Sequence, residues 1–221
     1  AYEIVQSRDV SGHGTAVAPG EMILDLCAAP GGKSTQAAAR LGGEGLLVSN
    51  EIHPARAKIL SENIERMGIR NAMVTNESPQ SLAKVFEAYF DRIMVDAPCS
   101  GEGMFRKNAD ACDEWSPENV TLCAERQAEI LECAASMLRP GGRMVYSTCT
   151  FAPEENEGTI SQFLAKHPEF EIADVMHYPQ MSSGVAAWTT DPQPGLERTI
   201  RLFPHHVDGE GHYLAVLMKV G

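Results

Sequence analysis

The chain has 221 residues, 43% of them hydrophobic, enough for one sizeable core in a single domain. Its net charge of -12 excludes a surface that holds nucleic acid by bulk electrostatics, because neutralising phosphates takes Lys and Arg; a local basic patch stays open. Charges such as Asp25 and Asp96 interrupt every apolar run, so no membrane-spanning helix is expected. Six scattered cysteines, with neither C-x-x-C spacing nor a signal-peptide pattern, point to a reduced, cytoplasmic chain without a metal site.

Residues 1–19 hold a short strand-like run, Tyr2 to Val5, and a Gly/Ser/His turn, and are read as a leading segment. The chain begins at Ala rather than Met, compatible with a processed chain or a piece of a larger one. From residue 20 strands and helices alternate. Met22 to Cys27 reads as a buried strand, Lys33 to Leu41 as a helix closed by Gly42-Gly43, and Leu46 to Asn50 as a second strand. A helix over Pro54 to Met67 follows, with Pro in its first turn, then a strand over Ala72 to Thr75. The spacing predicts a helix over Ser78 to Tyr89, a fourth strand over Asp91 to Asp96, and a loop from Ala97 to Trp115. The longest helix has Ser116 as N-cap, Pro117 at its first position and Pro140-Gly141-Gly142 as its stop. Its Cys123 and Cys133 fall among apolar residues and read as core. A fifth strand runs through Gly141 to Phe151, a helix through Pro153 to Lys166, an irregular stretch through 177–195, and two last strands through Thr199 to Phe203 and His212 to Val220.

This alternation predicts an α/β fold: a mostly parallel seven-stranded sheet with an antiparallel edge and helices on both faces, over residues 20–221. Ligands of such sheets bind beyond the carboxyl ends of the strands. Cys27-Ala28-Ala29-Pro30-Gly31-Gly32-Lys33 forms the first crossing. It lacks the first Gly of a phosphate-binding Walker loop, where Cys27 stands, and has only Gly31-Gly32 of a dinucleotide fingerprint. A tight turn without ligand is the plain alternative. Glu51 lies 20 residues past Gly31 (51 − 31), the spacing at which a carboxylate accepts from ribose hydroxyls. A nucleoside cofactor without pyrophosphate fits, S-adenosylmethionine being one, with Asp25 or Asp96 favouring its sulfonium.

The fourth strand ends in Asp96-Ala97-Pro98-Cys99-Ser100-Gly101 and the fifth in Ser147-Thr148-Cys149-Thr150-Phe151. Cys149 alone reads first as packing, since free Cys is a commonly buried residue. Two cysteines at the mouths of neighbouring strands, next to a methyl-donor site, have a use that packing lacks. A thiolate adding to carbon 6 of a pyrimidine makes carbon 5 nucleophilic enough to take a methyl group, and loss of the carbon 5 proton then expels the thiolate. The helix start at Pro153 favours a Cys149 thiolate, while Glu154 and Glu155 oppose it, so these charges assign no net direction. Asp96 is placed to hydrogen-bond the base, which must be unpaired or flipped out.

These three motifs, with Pro153-Glu154-Glu155-Asn156-Glu157, resemble the Sun-type RNA cytosine-C5 methyltransferases. Gly101-Glu102-Gly103-Met104-Phe105-Arg106-Lys107, Pro204-His205 and Gly209-Glu210-Gly211-His212-Tyr213 are most similar to the bacterial RsmF-type branch, over most of residues 20–220. The resemblance implies a Rossmann-like S-adenosylmethionine-dependent methyltransferase fold, Cys149 as nucleophile and Cys99 as the cysteine of release. It further implies cofactor binding by Cys27 to Lys33, Glu51 and Asp96. Relatives often carry an acid after the third strand; here Asn76-Glu77-Ser78 stands, leaving the adenine contact to Asn76 or Ser78. Arg106 and Lys107 are candidate phosphate contacts, with a solvated basic pair as the alternative.

The expected activity is cytosine-C5 methylation of RNA, with 16S ribosomal RNA or the small ribosomal subunit as partner, by a monomer in the cytoplasm. The alternatives are a transfer-RNA methyltransferase and a catalytically silent RNA-binding or assembly module. An amino-directed methyltransferase is disfavoured because Asp96-Ala97-Pro98-Cys99 replaces its Asp/Asn-Pro-Pro-aromatic motif.

Overall fold

The computed structural model describes residues 17–106, 112–113 and 115–221. The strand-like run Tyr2 to Val5 and Lys107 lie outside them. Among the described residues nine strands form one sheet: β1 (Met22–Asp25), β2 (Leu46–Asn50), β3 (Ala72–Thr75), β4 (Phe90–Asp96), β5 (Leu138–Thr148), β6 (Phe170–Ile172), β7 (Ser182–Ser183), β8 (Ile200–Leu202) and β9 (His212–Lys219). The helices are α1 (Gly32–Leu41), α2 (Pro54–Arg66), α3 (Pro79–Ala83), α4 (Pro117–Met137) and α5 (Glu157–Lys166). The strand order is β3-β2-β1-β4-β5-β9-β8-β7, parallel through β5 and antiparallel beyond it.

The central strands read as continuous apolar runs because both faces are covered. Ile23, Leu47 and Met94 pack with Ala37, Ala38 and Leu41 of α1 on one face. Their neighbours in sequence, Leu24, Val48, Ile93 and Val95, pack with Leu131 and Ala134 of α4 on the other. Each fully buried Leu or Ile contributes about 1.5–3 kcal/mol. Ser116 caps α4, its hydroxyl accepting from the Asn119 N–H at 3.0 Å, with Pro117 at the first helical position; such a cap contributes about 1 kcal/mol. Among the described residues no helix is long and apolar enough to cross a membrane.

Four expectations are corrected. Among the described residues the sheet has nine strands rather than seven, because β6 pairs with β9 along residues 217–219, beside β8 at 212–214, and β7 adds a further edge on β8. The helix expected through Tyr89 stops at Ala83; Ala88 adopts φ 47°, and half-buried Phe86 and exposed Tyr89 gather around buried Phe90 as a ring cluster with centroids 5.1–5.3 Å apart. The longest helix ends at Met137, before Pro140-Gly141-Gly142, which instead forms an irregularity in β5 where the register with β4 shifts between Phe90 and Arg92. The last helix begins at Glu157 rather than Pro153, which leaves residues 153–156 as turns with buried side chains at Glu155 and Asn156.

Candidate active site

The chain order reverses at β1 and β4: β1 leads outward to β2 and β3, and β4 to β5. Beyond the carboxyl ends of these strands lies a cavity of about 760 Å³, a size typical of small-molecule sites. One end is lined by Cys27 and Ala29 after β1 and by Asn50 to His53 after β2; the other by Asp96 to Cys99, Cys149 and His212. Arg126, Glu129 and Ile130 of α4 and Met104 form further wall.

At the first end Glu51 is 3% exposed. Its Oε1 accepts from the His53 N–H at 3.1 Å, and its Oε2 lies 3.7 Å from Arg56. The loop ahead of α1 is shaped for close approach. Ala28 donates its N–H to the Asn50 carbonyl at 2.8 Å, and the Pro30 carbonyl accepts from Asn63 at 2.7 Å. Gly31 has φ 113°, and a Cβ there would sit 2.9 Å from Leu60 Cδ1, so only glycine fits. Gly32 opens α1. Lys33 reaches back to pair with Asp96, whose Oδ1 accepts from the Ser147 hydroxyl at 2.8 Å. Burial pushes the Cys27 thiol well above its ordinary value.

Neither Asn76 nor Ser78 lines the cavity. Asn76 donates to the carbonyls of Glu51 and Ile52 at 2.7 and 3.0 Å, holding the strand end that presents Glu51. Ser78 caps α3 through the Ser81 N–H at 3.1 Å. The wall beside them is Pro79 and Gln80. Of the two carboxylates expected near a sulfonium, only Asp96 faces the cavity. Asp25 is 1% exposed, accepts from Ser34 at 2.7 Å and is pushed up to about 7 by burial, against the opposing Ser34 hydrogen bond.

At the other end the Sγ atoms of Cys99 and Cys149 are 3.1 Å apart, and the Cys149 N–H points at the Cys99 sulfur from 3.3 Å. Parallel pairing of Asp96 with Ser147 brings the two strand ends level. The shared hydrogen bond divides the pair: Cys149 is lowered because Cys99 donates its S–H to the thiolate, and Cys99 is raised by that same bond and by burial. The favourable partner of the thiolate is thus a thiol; α5 begins eight residues beyond Cys149 (157 − 149). Arg106 is exposed, two residues past the cavity-lining Met104.

The loops that carry the thiols are fastened by residues that stand in the sequence motifs without an assigned role, and by Arg201, which no motif singles out. Gly103 donates its N–H to the Cys149 carbonyl at 2.8 Å and accepts from the Gly211 N–H at 3.1 Å. Glu102 accepts from the Phe151 N–H at 3.0 Å. Buried Arg201 forms a two-pronged pair with buried Glu157, at 2.7 and 2.5 Å, and donates to the Phe151 carbonyl at 3.1 Å. His212 lines the cavity with its imidazole lowered by burial. The signal for Glu102, Gly103, Glu157, Gly211 and His212 is their place in those motifs; nothing local marks Arg201, whose partners Glu157 and Phe151 are distant in sequence.

Sheet order and the cavity beyond the strand ends define a Rossmann-like α/β fold, the fold of S-adenosylmethionine-dependent methyltransferases. It belongs to the 16S rRNA methyltransferase RsmB/F family, whose model matches residues 15–218. It is 40% identical over 199 residues to ribosomal RNA small subunit methyltransferase F of Klebsiella pneumoniae (strain 342), covering 90% of this chain and 40% of that protein. The protein of the same name from Pectobacterium atrosepticum is 41% identical over 207 residues, covering 92% and 40%. The chain therefore spans about two fifths of the length of these relatives. The crystal structure of NSun6 from Pyrococcus horikoshii with SFG superimposes with a TM-score of 0.76 at 29% identity, covering 91% of this chain and 48% of that one.

Proposed function

We propose that the chain is the catalytic part of an S-adenosylmethionine-dependent methyltransferase that modifies carbon 5 of a cytosine in 16S ribosomal RNA. The observation that carries this reading is the Cys99–Cys149 contact of 3.1 Å at the wall of the cavity that also holds Glu51. Glu51 suits ribose hydroxyls, Cys27 and Ala29 line the space beside it, and Asp96 stands between the two ends. When bound, S-adenosylmethionine supplies an electrophilic methyl group.

The Cys149 thiolate adds to carbon 6 of the base, and carbon 5 becomes the nucleophile that takes the methyl. Asp96, steadied by Lys33 and Ser147, is a hydrogen-bond acceptor for the base edge. Once the Cys149 sulfur is bonded to carbon 6, the thiolate that held the proton on Cys99 is gone, and Cys99 loses it to solvent. The Cys99 sulfur then takes the carbon 5 proton. That electron pair restores the carbon 5–carbon 6 double bond, and Cys149 leaves as thiolate. The test is transfer of labelled methyl from S-adenosylmethionine to unmethylated 16S RNA or small subunits and, in parallel, to transfer RNA, mapped by bisulfite sequencing. One new 5-methylcytosine in 16S RNA is expected; label only in transfer RNA, or binding without transfer, contradicts the reading.

A further inference from the structure

Cys99 is held from both sides by a single buried carboxylate. Glu155, 0% exposed, accepts the Ser100 N–H at 3.0 Å and the Ser100 hydroxyl at 2.5 Å. The Gln127 side-chain amide of α4, 0% exposed, donates to the same carboxylate at 2.8 Å and to the Pro98 carbonyl at 2.9 Å. The residues on either side of Cys99 are thus tied to one group, which itself lies six residues past Cys149 (155 − 149). The Glu155 segment is anchored in turn: its carbonyl accepts from the Tyr146 hydroxyl of β5 at 2.7 Å. The Ser100 and Thr150 hydroxyls, each next to a cysteine, lie 2.9 Å apart. A buried carboxylate is costly unless donors surround it. Burial does push the Glu155 carboxyl up, and the Ser100 and Gln127 donors oppose that. Helix capping does not account for it, since α5 starts at Glu157.

We propose that Glu155 is a positioning residue: through Ser100 and Gln127 it holds Cys99 against Cys149 and so governs release of the covalent RNA adduct. The inference rests on the roles given above to the two cysteines. Adduct formation uses the Cys149 sulfur, which the Cys99 S–H assists by favouring its thiolate, whereas release requires the Cys99 sulfur within reach of the carbon 5 proton. Loosening Glu155 therefore slows the second half of the reaction more than the first. A side chain that merely supports the fold would depress both halves together.

The test is Glu155→Gln in the protein, incubated with S-adenosylmethionine and unmethylated 16S RNA. Methyl transfer and the protein fraction covalently bound to RNA in denaturing gels are both read. Turnover is expected to fall about tenfold or more while the trapped fraction rises several-fold, although Cys99 is intact. Exposed Glu154→Gln removes the same charge one residue earlier and is expected to match the unchanged protein. If Glu155→Gln does not fold, Ser100→Ala removes one tie with a smaller change, and the same trapping is expected. Lower turnover without trapping in the folded variant, or turnover equal to that of the unchanged protein, overturns the proposal. Trapping by Cys99→Ala but not by Glu155→Gln defeats this inference alone; no adduct from any variant or from the unchanged protein defeats the cysteine roles as well.

Discussion

The Cys99 and Cys149 sulfurs meet at 3.1 Å across the ends of two neighbouring parallel strands, and the hydrogen bond they share lowers Cys149 and raises Cys99, favouring the thiolate on Cys149 with Cys99 as its donor. An S–H that donates to a thiolate stabilises it and lowers its pKa. Replacing Cys99 by Ala removes the donor, so the Cys149 pKa rises. Iodoacetamide alkylation of Cys149, followed against pH by mass spectrometry, is expected to have its midpoint at higher pH in Cys99→Ala than in the unchanged protein. A midpoint that stays or moves down contradicts the division of roles.

Glu51→Gln keeps the shape of the cavity and removes a charged acceptor. A hydrogen bond to a charged group contributes about 1.5–3 kcal/mol, so affinity for S-adenosylhomocysteine is expected to drop roughly tenfold to a hundredfold by calorimetry. Arg56→Ala, which removes only a 3.7 Å contact from an exposed side chain, is expected to change it far less.

Asp25 carries a pH signature in stability. Its carboxyl rises from 3.8 to about 7 on folding, so the folded state holds a proton that the unfolded chain has released between those values. Stability from this group is therefore greatest toward the acid side of that window and falls as pH rises toward 7, on the order of a few kcal/mol in total. In Asp25→Asn the fall is expected to flatten; thermal melting at pH 5.5 and 7.5 reads the difference.

Gly103→Ala places a Cβ 2.8 Å from the Cys149 carbonyl oxygen and 2.4 Å from that of Gly211, both backbone atoms. Overpacking against atoms that do not swing aside costs about 1–3 kcal/mol. A lower melting temperature is expected together with slowed Cys149 alkylation, because the carbonyl being pushed belongs to the nucleophile. Gly209→Ala, with no atom within 4 Å, is the control.

The elements that set the cavity were legible in the sequence for a physical reason. Leu46–Asn50 and Ala72–Thr75 begin where their apolar runs do and end one or two polar residues beyond them, and Pro54 and Pro117 start helices because proline costs nothing at the first helical position. Strands of two or three residues, such as β6 and β7, have no period to read. Pro140-Gly141-Gly142 signals a backbone irregularity, and pattern alone does not tell a helix end from a kinked strand. At the site, Cys99, Cys149, Glu51 and Asp96 were placed by their strand ends. Asn76 and Ser78 were placed the same way, but their side chains hydrogen-bond the backbone instead of facing the cavity. Glu155 and Glu157 read as charges at a helix start because their partners, Ser100, Gln127 and Arg201, are far away in sequence and adjacent only once folded.

The most direct measurement is covalent trapping on RNA by the two single-cysteine variants. Incubated with S-adenosylmethionine and unmethylated 16S RNA, Cys149→Ala is expected to give neither methylation nor adduct. Cys99→Ala is expected to transfer methyl once and accumulate a protein–RNA band that survives denaturing electrophoresis. The reverse pattern, with the adduct forming only when Cys149 is replaced, contradicts the assignment.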